Sequence, residues 1–140
     1  LSVAPAAMIQ TQLIETAGGT NAVSDVDGEG DFIEVNIEQI IAWNPDVIWF
    51  PSYTDYTAED LLNNPAWSSI DAVKNKKVYR FPSTLEPWDQ PTAALALGIS
   101  WATYSLHPDL YTFEDMMGDA DEFYNLVYGR TFTAEQLGVD

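Results

Sequence analysis

Two short apolar runs, each cut off by proline, do most to limit what this chain can fold into. They are Val47-Ile48-Trp49-Phe50 before Pro51, and Val78-Tyr79-Arg80-Phe81 before Pro82. The first shows no polar alternation, which is the pattern of a strand covered on both faces. Proline cannot donate to a strand ladder, so each run ends where it stands. The segments before, between and after the runs read as helices. Strands alternating with helices predict an α/β fold in layers, with helices on both faces of a small, mostly parallel sheet. A third, short strand is expected at residues 21–24. So few strands make a poor independent sheet, which leads us to expect another strand upstream of Leu1.

The helices carry their own punctuation. Pro5 suits an N-terminal turn, and the good helix formers that follow run to Gly18-Gly19, where glycine takes the left-handed end position without strain. Asn36 is a candidate N-cap for a helix with Val35, Ile37, Ile40 and Ile41 on its apolar face, stopped at Asn44-Pro45. Thr57 with Asp60 three residues later opens a helix near residues 58–63. A further helical stretch starts at Pro65 and ends near Val73. From Pro91 a long, largely apolar helix runs to Tyr104 and is broken at His107-Pro108; it should pack on the sheet. Residues 109–140 read as acidic helices carrying Tyr111, Phe113, Phe123, Tyr124 and Tyr128.

Charge and composition exclude several classes of function. The 140 residues hold 22 acids and 5 bases, a net charge of −17. Nucleic-acid binding needs cations facing phosphates, and four of the five bases crowd into residues 74–80. With 46% hydrophobic and 13% aromatic residues the chain is too apolar for a disordered acidic tail. There is no cysteine, hence no disulfide framework and no thiolate metal site. No apolar run approaches the ~20 residues of a membrane helix.

Several segments, in this order, resemble one family: Ile14-Glu15-Thr16-Ala17-Gly18-Gly19-Thr20-Asn21, then Val35-Asn36-Ile37-Glu38-Gln39-Ile40-Ile41, then Asn44-Pro45-Asp46-Val47-Ile48. Trp67, Ile70-Asp71-Ala72-Val73-Lys74, Lys77-Val78-Tyr79, Pro82 and His107-Pro108-Asp109-Leu110 continue the series. The family is the class III periplasmic binding proteins, the substrate-binding proteins of bacterial ABC importers for iron–siderophore complexes, haem and cobalamin. The resemblance implies two α/β lobes joined by a long helix, with ligand in the cleft between. It covers the C-terminal lobe alone, so residues 1–140 are expected to be a single domain, a fragment lacking the N-terminal lobe, with 111–140 as an acidic helical extension. It also implies an extracytoplasmic location, in the periplasm or lipid-anchored on the outer face of the membrane, and no enzymatic activity.

The same resemblance gives Glu38 a role: an exposed glutamate at this motif position docks on arginines of the membrane permease, where charge supplies orientation and on-rate. Ligand residues are expected in the loops after the two strands, because open parallel sheets bind ligands outside the carboxyl ends of their strands. Tyr53, Tyr56, Glu86, Trp88 and Asp89 are the candidates. Their rings would pack on a macrocycle or siderophore backbone; equally, Trp88 and the tyrosines could simply cover the sheet end. The cationic clamp usual for anionic siderophores is not evident. No resident cofactor or metal is expected. His107, the single histidine, reads as a helix-end residue. Residues 25–31 partly match a calcium loop, with acids at 25, 27 and 29, but Asn36 stands where the closing glutamate should be. Two rival functions stay open: a carbohydrate- or metal-binding surface module, suggested by five tryptophans, and a metal-dependent hydrolase with Glu86 and Asp89 as its acid pair. Near His107, Ser100, Ser105 and Asp109 form no serine-hydrolase signature, since neither G-x-S-x-G nor a triad order is present.

Overall fold

The computed structural model describes residues 1–139 except 24, 25, 27, 29 and 30. Its centre is a parallel pair of strands, β3 (Ile48–Phe50) and β4 (Val78–Arg80), in register Ile48 to Val78, Trp49 to Tyr79 and Phe50 to Arg80. Side chains leave a strand alternately to its two faces, and here each face has its own core. Ile48, Phe50 and Val78 join Ile40, Leu61, Ile70 and Val73 on one side. Trp49, Tyr79 and Phe81 join Leu13, Leu97, Trp101, Met116 and Tyr124 on the other. The first side is covered by α2 (Ile37–Trp43), α3 (Ala58–Leu62) and α4 (Asp71–Lys74), and the second by α1 (Ile9–Thr16), α5 (Leu95–Leu106) and α6 (Phe113–Tyr128). The α/β fold in three layers is therefore present.

Local chemistry explains the helix ends. At Asn36, Thr57, Thr112 and Thr133 the side chain accepts the N3 backbone N–H while the N3 side chain accepts back from the cap, a full capping box at α2, α3, α6 and α7 (Ala134–Leu137). Asn44, in the left-handed region, closes α2; its side chain also reaches α4, accepting from the Asp71 N–H and donating to the Asp71 carboxylate. Gly18, at φ +83°, turns the chain away from α1.

Three expectations need correction. The stretch at 21–24 is no strand over its described residues 21–23: the Asn21 side chain donates to Ala4 O and Thr11 Oγ1 and accepts from the Val23 N–H, and so folds the backbone into a turn. The stretch from Pro65 splits into a 3-10 turn (Pro65–Trp67) and the separate α4. The long helix starts at Leu95, not Pro91, after a run of turns. Two further strands, β1 (Ser2–Val3) and β2 (Ile33–Glu34), form an antiparallel pair. They are two residues each, too short for any periodicity to announce them.

On the side away from β4, β3 has no strand partner among the described residues. A gap of about 970 Å³ opens there, bordered by residues such as Leu1, Ala4, Asn21, Trp43 and Trp49. Gln10 Oε1 and Trp49 Nε1, both from residues on its lining, are buried without a hydrogen-bond partner among the described residues.

Candidate functional site

The two loops that leave the carboxyl ends of β3 and β4 lie side by side, since their strands are neighbours, but they are built differently. The loop after β3, residues 51–56, stays on the surface. Tyr53 is 63% exposed and Tyr56 is 40% exposed. Thr54 folds the loop back on itself: its N–H and its hydroxyl both donate to Pro51 O. Arg80, at the end of β4, donates through Nη2 to the carbonyl oxygens of Thr54 and of Tyr56, the latter at 3.2 Å. Its guanidinium lies 5.7 Å from the centre of the Phe50 ring, which in turn packs 5.2 Å from the Tyr56 ring.

The loop after β4 is closed. Trp88 is fully buried, and its Nε1 donates to Tyr124 Oη of α6 at 3.0 Å. Behind it, α5 approaches so closely that a Cβ on Gly98 would fall 2.1 Å from the Trp88 carbonyl oxygen. From the other direction the C-terminal turn presses in: a Cβ on Gly138 would fall 2.3 Å from Thr84 Oγ1. The acidic tail is thus part of the core; Met116, Ala120 and Tyr124, at helical spacing on α6, are all fully buried. Trp88, expected at the ligand face, is a core residue held by a helix 36 positions further on, and offers no surface to a ligand.

The other expected residues divide accordingly. Asp89 is buried at the seam between the loops and accepts from Ser52 Oγ at 3.5 Å. Glu86 is half-buried, with Oε1 enclosed and unpartnered among the described residues. Tyr53, Tyr56 and Asp89 therefore meet at one corner, and Glu86 belongs with the closed loop beside Tyr124. Burial raises the Tyr53 phenol pKa, with the Asp89 charge and then Tyr56 adding to it. Burial also raises that of Tyr56, but there Arg80 and the Thr54 hydrogen bond pull the other way. Tyr124 is pushed up to about 12, chiefly by burial, with Glu86 adding and the Trp88 bond opposing. Sequence reasoning missed Arg80 as a site residue, because its place inside a strand run gave no sign that its head would reach the neighbouring loop.

Elsewhere, Glu38 stands exposed in the first turn of α2. His107 ends α5: its N–H donates to Thr103 O, and its carbonyl accepts from Leu110 and Tyr111. No three carboxylates or histidines gather closely enough to hold a metal ion among the described residues. The hydrolase pair does not converge as two exposed acids, since Asp89 is buried and Glu86 faces the tail. Most of the acidic stretch 25–31 lies outside the described residues. No helix among the described residues is long and apolar enough to cross a membrane.

The chain thus presents a parallel strand pair between two helical layers, with an open aromatic loop at its carboxyl end. The model of the periplasmic binding protein family matches residues 9–85, more than half of the chain, and the chain belongs to that family. The molybdate-binding protein MolA of Haemophilus influenzae is 30% identical over 122 residues, which are 86% of this chain and 34% of that protein. A periplasmic solute-binding protein from Veillonella parvula superposes with a TM-score of 0.86 at 28% identity, over 99% of this chain and 43% of its own. The molybdate-bound structure of MolA superposes at 0.77 with 27% identity, over 95% of this chain and 40% of its own. The chain thus spans less than half the length of these relatives, and the match to the Veillonella protein extends over the acidic tail.

Proposed function

We propose that this chain is the C-terminal lobe of an extracytoplasmic solute-binding protein that delivers its ligand to an ABC permease. The observation that carries this reading is the contrast at the carboxyl end of the sheet: of two adjacent loops, only residues 51–56 present exposed aromatic side chains, next to the buried Asp89. The ligand lies against Tyr53 and Tyr56, with a second lobe closing over it. Glu86 and Trp88 belong to the closed loop, held against Tyr124 of α6. The solute is an iron–siderophore complex, haem or a corrinoid, whose flat or ringed parts stack on the two tyrosines. Glu38, exposed on α2, docks on permease arginines.

A second reading of the solute is favoured by the similarity to a molybdate-binding protein. A small tetrahedral oxyanion would take hydrogen bonds from the tyrosine hydroxyls in place of ring stacking. Titration of the full-length protein with a ferric siderophore, haem, cobalamin, molybdate and an oligosaccharide panel separates the readings. Saturable binding of one of the first three is expected. Binding of molybdate alone selects the second reading, and binding of sugars alone ends both. For docking, Glu38→Arg in the full-length protein should leave ligand affinity unchanged and abolish transport by the cognate permease; unchanged transport removes Glu38 from the interface.

A further inference from the structure

Arg80 is an exposed residue on a strand, yet its guanidinium is committed to the neighbouring loop. One nitrogen donates to two main-chain carbonyls, Thr54 O and Tyr56 O, and lies 3.5 Å from Thr54 Oγ1. The carbon at its centre stands over the Phe50 ring, the ring that Tyr56 also packs against. The one ion pair among the described residues is Lys74 with Asp71, at the opposite end of the sheet, so Arg80 spends its charge on carbonyl dipoles and a ring face. The other end of the same loop is tied at Ser52, whose hydroxyl donates to Asp89. Between these two ties stand the exposed rings.

We infer that Arg80 is a positioning residue: its fork straps residues 54–56 onto the end of β4 and so sets where Tyr53 and Tyr56 stand. A short loop with few buried contacts opens readily, and a planar guanidinium loses less freedom per hydrogen bond than a lysine head would. Held this way, the two tyrosines meet a solute already arranged, which spares part of the ordering cost of binding. The relevance to capture rests on the proposed function. The strap itself does not, because it can be measured with no solute present.

The test compares Arg80→Met and Arg80→Lys by amide hydrogen exchange, with spectrophotometric titration of the tyrosines alongside. Methionine keeps the apolar stem and loses charge and fork; lysine keeps the charge and loses the fork. Exchange at the Thr54 amide, which donates to Pro51 O, is expected to rise about tenfold in both variants as the hold on the Thr54 and Tyr56 carbonyls is lost, with the amides of Leu97 and Trp101 unchanged. The Tyr56 phenol, identified by its loss in Tyr56→Phe, should titrate at higher pH in Arg80→Met and stay near its original position in Arg80→Lys. Loop exchange unchanged in Arg80→Met overturns the strap. So does full protection in Arg80→Lys, which would mean that a point charge suffices, and so does faster exchange throughout the core, which would make Arg80 a general stabiliser. If the strap holds and no solute in the panel binds, the functional reading fails while the structural one stands.

Discussion

The loops after β3 and β4 begin at paired positions on adjacent parallel strands, and both carry aromatic and acidic residues. One is held at its edges by Arg80 and by the Ser52–Asp89 bond and leaves its rings in solvent; the other is enclosed between α5 and the C-terminal helices. A strand-end position therefore makes a residue eligible for a ligand surface without placing it there. What decides is whether a later part of the chain needs the same space. Tyr124 does, and it takes Trp88 into the core.

Truncating the closed loop should do the most damage. Trp88→Ala removes a fully buried indole, and a loss of ~3–5 kcal/mol is expected in denaturant unfolding; a change under ~1 kcal/mol would return Trp88 to the ligand face. Gly98→Ala sets a methyl group against the Trp88 carbonyl, and should cost ~3 kcal/mol as backbone is forced apart. Tyr124→Phe strands the Trp88 N–H in the core, with an expected loss of ~1–2 kcal/mol. It should also change alkaline behaviour. A phenol whose folded pKa is raised, from an ordinary 10.0 to about 12, stabilises the fold fully below pH 10, and that stabilisation is lost as the pH rises from 10 through about 12. The difference between the wild type and Tyr124→Phe across that window isolates the residue, because Tyr111, likewise pushed up to about 12, is common to both. Last and smallest in stability, Tyr53→Ala in the open loop should alter unfolding by under ~0.5 kcal/mol while weakening retention of solute by the full-length protein. A large stability loss there would erase the contrast between the loops.

What could be read from the residues follows the range of the interactions. Asn36 and Thr57 act within one turn, so their caps were foreseeable, and the proline-closed apolar runs located both central strands. The register of capping boxes needs no knowledge of the rest of the fold. The burial of Trp88 depends on a hydroxyl 36 residues away, and the tail looked like an appendage because its acids conceal the stripe Met116, Ala120 and Tyr124. Tyr53 and Tyr56 were legible as exposed loop residues from their polar neighbours. Arg80 was not legible as their support, since its reach runs across the sheet between strands 30 residues apart in sequence.

The bare flank of β3 has a practical side for anyone handling these 140 residues by themselves. An unpaired strand margin is adhesive, ready to accept any extended peptide that comes alongside. Mutual repulsion between copies, each with a charge of −17, is what holds such encounters off, and dissolved ions shorten its reach from ~30 Å at 0.01 M to ~3 Å at 1 M. Added sodium chloride should therefore drive the isolated lobe to associate, visible as light scattering that climbs with both salt and protein concentration.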